Sequence, residues 1–238
     1  MRKKKQFSEG HIYHIYNRGV AKNLICAKED DLWRFLQGLC LFNDKNNAAN
    51  VLWKLARSRG ELNLNILKEY IAENKKEPLV RILAYCIMDN HFHLLVEEIQ
   101  EGGIVRFMQR LGTGYARYFN NKHKRVGPLF QGRFKTVLVK EDMHLLYLLA
   151  YINVINPGQF IQPKLKEEGA KDIKKILDGV EKYPWSSHLD YLGKRESIII
   201  EKGLFSKMLP TPKYYQDLVR NVLEERKYQQ ISHLAIEQ

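Results

Sequence analysis

Residues 79–97 read LVRILAYCIMDNHFHLLVE. Two apolar runs, VRILAYCIM and FHLLVE, flank Asp89-Asn90, and Asp and Asn tolerate the backbone that a tight turn needs. The stretch therefore predicts two strands joined by a short turn, an antiparallel hairpin. Upstream, residues 11–19 (HIYHIYNRG) alternate β-branched and aromatic residues and stop at Asn-Arg-Gly, which reads as a further strand. Between the two, 29–42 sets Leu32, Phe35, Leu36, Leu39 and Leu41 on one helix face, ended by Asp44-Lys45-Asn46-Asn47. Residues 43–78 are uneven and polar, with a helix near 62–73, and read as an insertion between core elements. Downstream come a helix over 103–120, a basic loop over 121–125 and a Gly127-Pro128 turn. A strand over 130–139 follows, in which Gln131, Arg133 and Lys135 share one face, and then a helix from Asp142 to Pro157. The last 80 residues hold a lysine-rich stretch, Tyr-Pro-Trp-Ser-Ser at 183–187 and a final helix near 213–227. Strands and helices interleaved through hairpin connections predict an α+β fold on an antiparallel sheet rather than a parallel α/β fold.

The chain has 238 residues, enough for one domain or one with an appendage. Its 45% apolar and 28% charged content excludes wholesale disorder. Lys and Arg number 39 against 27 acids, a formal charge of +12 that favours a polyanionic partner over a neutral metabolite. No apolar run reaches the ~18 residues of a membrane span. The opening MRKKKQFSEG has the charges of a signal peptide without its apolar core. Cys26, Cys40 and Cys86 lack metal-type spacing and cannot all pair, which predicts a reducing cytoplasm.

Two groups of residues invite chemistry. On a strand, His91 and His93 point to one face, so both imidazoles can meet one ion while Phe92 packs into the core. The Asp89-Asn90 turn predicts that the pair stands at an open mouth. A bare H-x-H equally describes two histidines on a half-exposed strand. On the helix from Asp142, positions 144, 147 and 151 form a stripe of His144, Tyr147 and Tyr151. A tyrosine there can serve as a nucleophile toward phosphorus, although one tyrosine among 13 is more commonly a residue of the core edge.

Five strings change the weighing: YHIYNRG at 13–19, MDNHFHLLVE at 88–97, GPLFQGRFK at 127–135, LLAYINVINP at 148–157 and YPWSSHLDYLGK at 183–194. In this order, across most of residues 8–195, they resemble the single-tyrosine HUH transposases of the insertion-sequence type, especially the REP-associated branch. The resemblance implies a ferredoxin-like antiparallel sheet with packed helices. It implies a catalytic domain over 1–160, with 43–78 inserted, and a C-terminal helical extension over 161–238 that docks on it. It implies cutting and rejoining of single-stranded or hairpin DNA through a 5′-phosphotyrosine. By position, His91 and His93 become ligands of Mg²⁺ or Mn²⁺ and Tyr151 the nucleophile.

One position departs from the family pattern. Relatives place Asn or Gln four residues after the tyrosine, where this chain has Ile155; Asn156 comes one later. On a regular helix that residue lies about 140° round from the tyrosine, and Asn153 is no nearer. Either a one-residue π-bulge brings Asn156 to the metal, or the third ligand comes from elsewhere, or the site is impaired. The last case motivates a second reading, a nucleic-acid-binding protein that has lost turnover. A third reading, a phosphoesterase with paired H-x-T motifs, fails because Leu94 follows His93 and no second motif exists. Lys122, Lys124, Arg125, Gln131, Arg133 and Lys135 form a candidate phosphate-tracking patch, the alternative being a solvated cationic face. Trp185 with Ser186 and Ser187 reads as a docking anchor for the tail, and Cys86 as buried and inert. The partners predicted are single-stranded or hairpin DNA, with no membrane, for a monomer or a homodimer.

Overall fold

The structure, a computed structural model, describes residues 7–46, 51–59 and 63–224. The 79–97 stretch forms β2 (Val80–Ile87) and β3 (His91–Glu98), closed where the Met88 amide donates to the His91 carbonyl at 2.8 Å. β1 (Ile12–Arg18) pairs with the other side of β3 and, in turn, with β4 (Lys135–Val139). The sheet is antiparallel throughout, in the order β2-β3-β1-β4. With α1 (Glu29–Leu41) before β2 and α4 (Gly103–Lys122) before β4, the chain follows the β-α-β-β-α-β course of a ferredoxin-like fold. Two helices lie between α1 and β2, where the insertion was expected: α2 (Val51–Arg59), which the sequence did not reveal, and α3 (Leu64–Glu73).

β2 carries a register irregularity between Ile82 and Ala84. Before it Val80 and Ile82 face the core beneath α1 and α4; after it Tyr85 and Ile87 do. Leu83, Ala84 and Cys86 turn to the opposite face. The extra residue and the cover on both faces explain why the strand reads as an unbroken apolar run. The first core joins Tyr13, Ile15, Phe92, Leu94 and Val96 to Phe35 and Leu39 of α1 and Phe107, Leu111 and Tyr115 of α4. Each such side chain stabilises the fold by roughly 1.5–3 kcal/mol.

The second face lies under α5 (Asp142–Ala150), a π-helical segment (Tyr151–Ile155) and α6 (Asn156–Gly158). Behind them come α7 (Leu165–Glu168), α8 (Ile173–Val180), α9 (His188–Tyr191), α10 (Phe205–Met208) and α11 (Pro212–Glu224). Leu83, Cys86 and Leu95 there meet Leu148, Ile152, Ile176, Tyr191, Phe205 and Val219 in one cluster. α11 is described as far as Glu224, and residues 225–227 of the expected span lie outside the described residues.

The chain after residue 160 also runs along the outer edge of β2. Ile87 donates to the Trp185 carbonyl and Ser187 to the Tyr85 carbonyl, both at 2.9 Å, and Glu201 to the Ile82 carbonyl at 2.9 Å. Trp185 stacks edge-on against Trp33 at 5.3 Å.

The strand expected over 130–139 is shorter than its pattern. Gly132 adopts φ 149°, a conformation other residues avoid, and breaks the extension. Gln131 and Arg133 therefore sit in a bend, and of the three residues expected on one strand face only Lys135 lies in β4. No helix among the described residues is long and apolar enough to cross a membrane.

Candidate active site on the second face of the sheet

Directly paired residues of an antiparallel sheet point to the same face, so the register sorts side chains into rows. Arg18 stands opposite His91; Lys135, Tyr16 and His93 make the next row; Val137, His14 and Leu95 make the third. Leu95 belongs to the second core, which fixes the face for all three rows, while Phe92 packs into the first core. The His93 ring centre is 5.1 Å from both His91 and His14 and 5.9 Å from Tyr16. His93 Nδ1 and His14 Nε2 share a hydrogen bond at 2.9 Å, and His91 Nδ1 meets Asn90 Oδ1 at 2.6 Å.

The open mouth expected at Asp89-Asn90 holds for the turn and for half-buried His91 but not for His93. The Asn90 carbonyl accepts from Gly19, and the Asp89 carbonyl from Ile25 and Cys26, so the loop after β1 is tied to the turn. His93 and His14 are 0% exposed and His91 is half-buried.

α5 ends at Ala150, and Tyr151 opens the segment that follows. That segment is a π-turn in which the Asn156 amide donates to the Tyr151 carbonyl, five residues back. A hydrogen bond of that span stacks residue 156 over residue 151, which a regular helix cannot do. Asn156 is 1% exposed, and its Nδ2 has no hydrogen-bond partner. Asn153 is turned away, its Oδ1 accepting from Ser187 Oγ at 2.6 Å. The Tyr151 ring lies 5.5 Å from His93, 6.3 Å from His14 and 6.1 Å from Tyr147. Tyr151 is 1% exposed. Burial pushes the Tyr147 phenol up to about 12.

Lys166, on α7, donates to the Tyr151 phenol oxygen at 3.0 Å and lies 5.2 Å from the centre of its ring. Gly158 makes room for this approach, since a Cβ there would come within 2.5 Å of Leu165 Cδ2. The sequence reading singled out neither Lys166 nor Arg18, His14 and Tyr16. The alternation in YHIYNRG puts His14 and Tyr16 on one face of β1, a signal for those two; for Lys166 no local pattern exists.

Among the described residues no three of His, Cys, Asp and Glu gather as a metal cluster. The donors on offer are two imidazoles and the Asn156 amide. Each imidazole has its Nδ1 occupied by a neighbour, Asn90 or His14, an arrangement that fixes ring orientation and leaves Nε2 as the nitrogen that could ligate. A mixed set of imidazole nitrogens and an amide oxygen is chemically able to hold a divalent cation, the amide oxygen being the donor that suits Mg²⁺ or Mn²⁺.

The six residues of the expected DNA patch differ in what they touch. Lys122 is engaged within the fold, 2.6 Å from Asp31 and 2.8 Å from Asp30. Burial disfavours the Asp31 carboxylate, yet hydrogen bonds from Lys122, His123 and the amides of Ala27 and Lys28 hold it below the usual range. Lys124 is exposed on a loop at φ 50°, and the Arg125 guanidinium lies 5.7 Å over Phe119. Gln131 accepts a hydrogen bond from Arg18 Nε, which ties it to the row of His91. Arg133 and Lys135 are exposed, and Lys135 shares the row of His93.

Residues 56–154 match the family profile "Transposase IS200 like". This span carries the end of α2, α3 to β4, His91, His93 and α5 with Tyr151; β1, α1, Asn156 and Lys166 lie outside it. No curated protein matches the chain. Among solved structures, "Structure of the REP associates tyrosine transposase bound to a REP hairpin" superposes with a TM-score of 0.45 at 11% identity, covering 84% of this chain and 91% of that one.

Proposed function

We propose that the chain is a single-tyrosine endonuclease and strand transferase acting on single-stranded or hairpin DNA, a reading supported by the match of residues 56–154 to the IS200-like transposase profile. The observation that carries this reading is the 5.5 Å approach of the Tyr151 ring to His93, made where the π-turn crosses the sheet. In the proposed reaction the Tyr151 oxygen attacks a backbone phosphorus in line. The P–Oη bond forms as the P–O3′ bond breaks, the phenol proton passes to solvent, and the departing oxygen takes up a proton to become a 3′-OH. A second 3′-OH reverses the step and joins strands, because the phosphotyrosine keeps the energy of the broken bond. A divalent ion, Mg²⁺ or Mn²⁺, held by His91, His93 and Asn156 would supply positive charge at the phosphate.

Lys124, Arg125, Gln131, Arg133 and Lys135 are proposed to follow the DNA backbone, with Arg18 beside them. The +12 charge supports a polyanionic partner. The three cysteines are free thiols, in keeping with a reducing cytoplasm. We also propose 1–160 as the catalytic unit and 161–238 as the extension docked on it. The burial of Tyr151 and His93 favours a second reading, a DNA-binding protein without turnover. A labelled hairpin oligonucleotide incubated with the protein and Mn²⁺, then run on a denaturing gel, separates the two. Covalent adduct from the wild type, absent from Tyr151→Phe, supports the transposase reading; no adduct from the wild type supports binding alone.

A further inference from the structure

We propose that Lys166 is a catalytic residue of this centre: its ammonium holds the Tyr151 oxygen before attack and the phosphate oxygen as the new bond forms. The inference rests on the transposase reading and adds a group from beyond the 56–154 segment, by which the extension after residue 160 would complete the site of the catalytic unit. Lys166 Nζ touches the atom that would react, at 3.0 Å. Its backbone is fixed rather than wandering, because Leu165 beside it is 4% exposed and packs into the second core with Ile176. The neighbouring cations are already satisfied: Lys164 and Lys171 both reach Glu168, at 3.4 and 2.7 Å. Among the described residues Lys166 forms no ion pair, so it offers an uncompensated positive charge beside a buried phenol.

Such a group suits an anionic substrate. Tyr151 is 1% exposed, and Lys166, half-buried, borders its oxygen. A phosphodiester that comes within bonding distance of that oxygen comes within reach of the ammonium as well, where a charge-assisted hydrogen bond is strong. The ammonium donates to the phenol oxygen and directs a lone pair; it neither gains nor loses a proton in the step. The bonds made and broken remain P–Oη and P–O3′.

The test compares wild type, Lys166→Met, Lys166→Arg and Tyr151→Phe in single-turnover adduct formation on a hairpin oligonucleotide with Mn²⁺, alongside DNA affinity. Lys166→Met is expected to slow adduct formation about 100-fold, the usual cost of removing one donor to a developing charge, with affinity held. Lys166→Arg is expected to recover most of the lost rate, which a purely structural role would not require. A DNA-free readout accompanies these: the Tyr151 ring carbon signal in ¹³C-tyrosine NMR should move in Lys166→Met. Wild-type rate in Lys166→Met, with adduct still lost in Tyr151→Phe, overturns this inference and leaves the transposase reading standing. A wild type that forms no adduct overturns both.

Discussion

Tyr147 and Tyr151 stand one helical turn apart, and their surroundings separate them. Tyr151 has His93 at 5.5 Å and the Lys166 ammonium on its oxygen; burial pushes the Tyr147 phenol up to about 12. Tyr151→Phe is therefore expected to eliminate covalent adduct with DNA binding unchanged, and Tyr147→Phe to retain adduct, read on a denaturing gel. His91→Ala should abolish Mn²⁺-dependent cleavage in a folded protein, since His91 is only half-buried. His93→Ala would also leave buried His14 without its 2.9 Å bond, so its urea midpoint should show a loss of about 1–3 kcal/mol. At this scale legibility followed locality. The strand period of two made His91 and His93 readable as a pair. That His14 and Tyr16 join them depends on the β1–β3 register, and Lys166 reaches Tyr151 only through the packing of Leu165 against Gly158.

The elements divide in the same way. The hairpin, β1, α1, α4 and α11 were legible because turn residues and apolar periodicity bound them. β4 came out shorter because Gly132 interrupts it, and α2 was missed inside a polar stretch. The π-turn was readable only as one of three consequences of finding Ile155 where an amide was expected. Asn156→Ala should lower Mn²⁺-dependent cleavage without weakening DNA binding; unchanged cleavage across a metal titration would remove Asn156 from the ligand set. α9 carries a pH-dependent element. His188 is buried against the Tyr215 hydroxyl at 2.7 Å, and desolvation lowers its pKa to about 4. The unfolded chain takes up that proton near pH 6.5 and the folded chain only near 4, so stability is complete above 6.5 and falls as pH drops between the two. The loss from this group is about 3 kcal/mol by pH 4. His188→Gln should flatten that part of the profile in urea melts at pH 7 and 4.5.

For the molecule as a whole, the excess of 12 positive charges was plain from composition, but its distribution was not. Replacing Arg133 and Lys135 together by Gln should weaken binding to many single-stranded sequences alike and flatten the salt slope by roughly 0.7 per lost phosphate contact. Lys122→Ala should leave that slope unchanged and instead reduce thermal stability, because it strips an ion pair from Asp31, a buried carboxylate. An altered slope in Lys122→Ala, with stability intact, would return that residue to the DNA patch. The two cores also differ in when their parts exist. Apart from Trp185, the fully buried members of the first lie within residues 13–129, with Tyr183 and Ile198 to Ile200 packed on it from outside, whereas the buried members of the second run as late as Val222. Synthesis at 5–20 residues per second separates those moments by roughly 5–20 seconds. During that interval the nascent polypeptide carries the histidines, and later the tyrosine, with no wall behind them. A chain cut short of α11 therefore carries both motifs while lacking Tyr215, Leu218, Val219 and Val222, the last side chains of the core behind them.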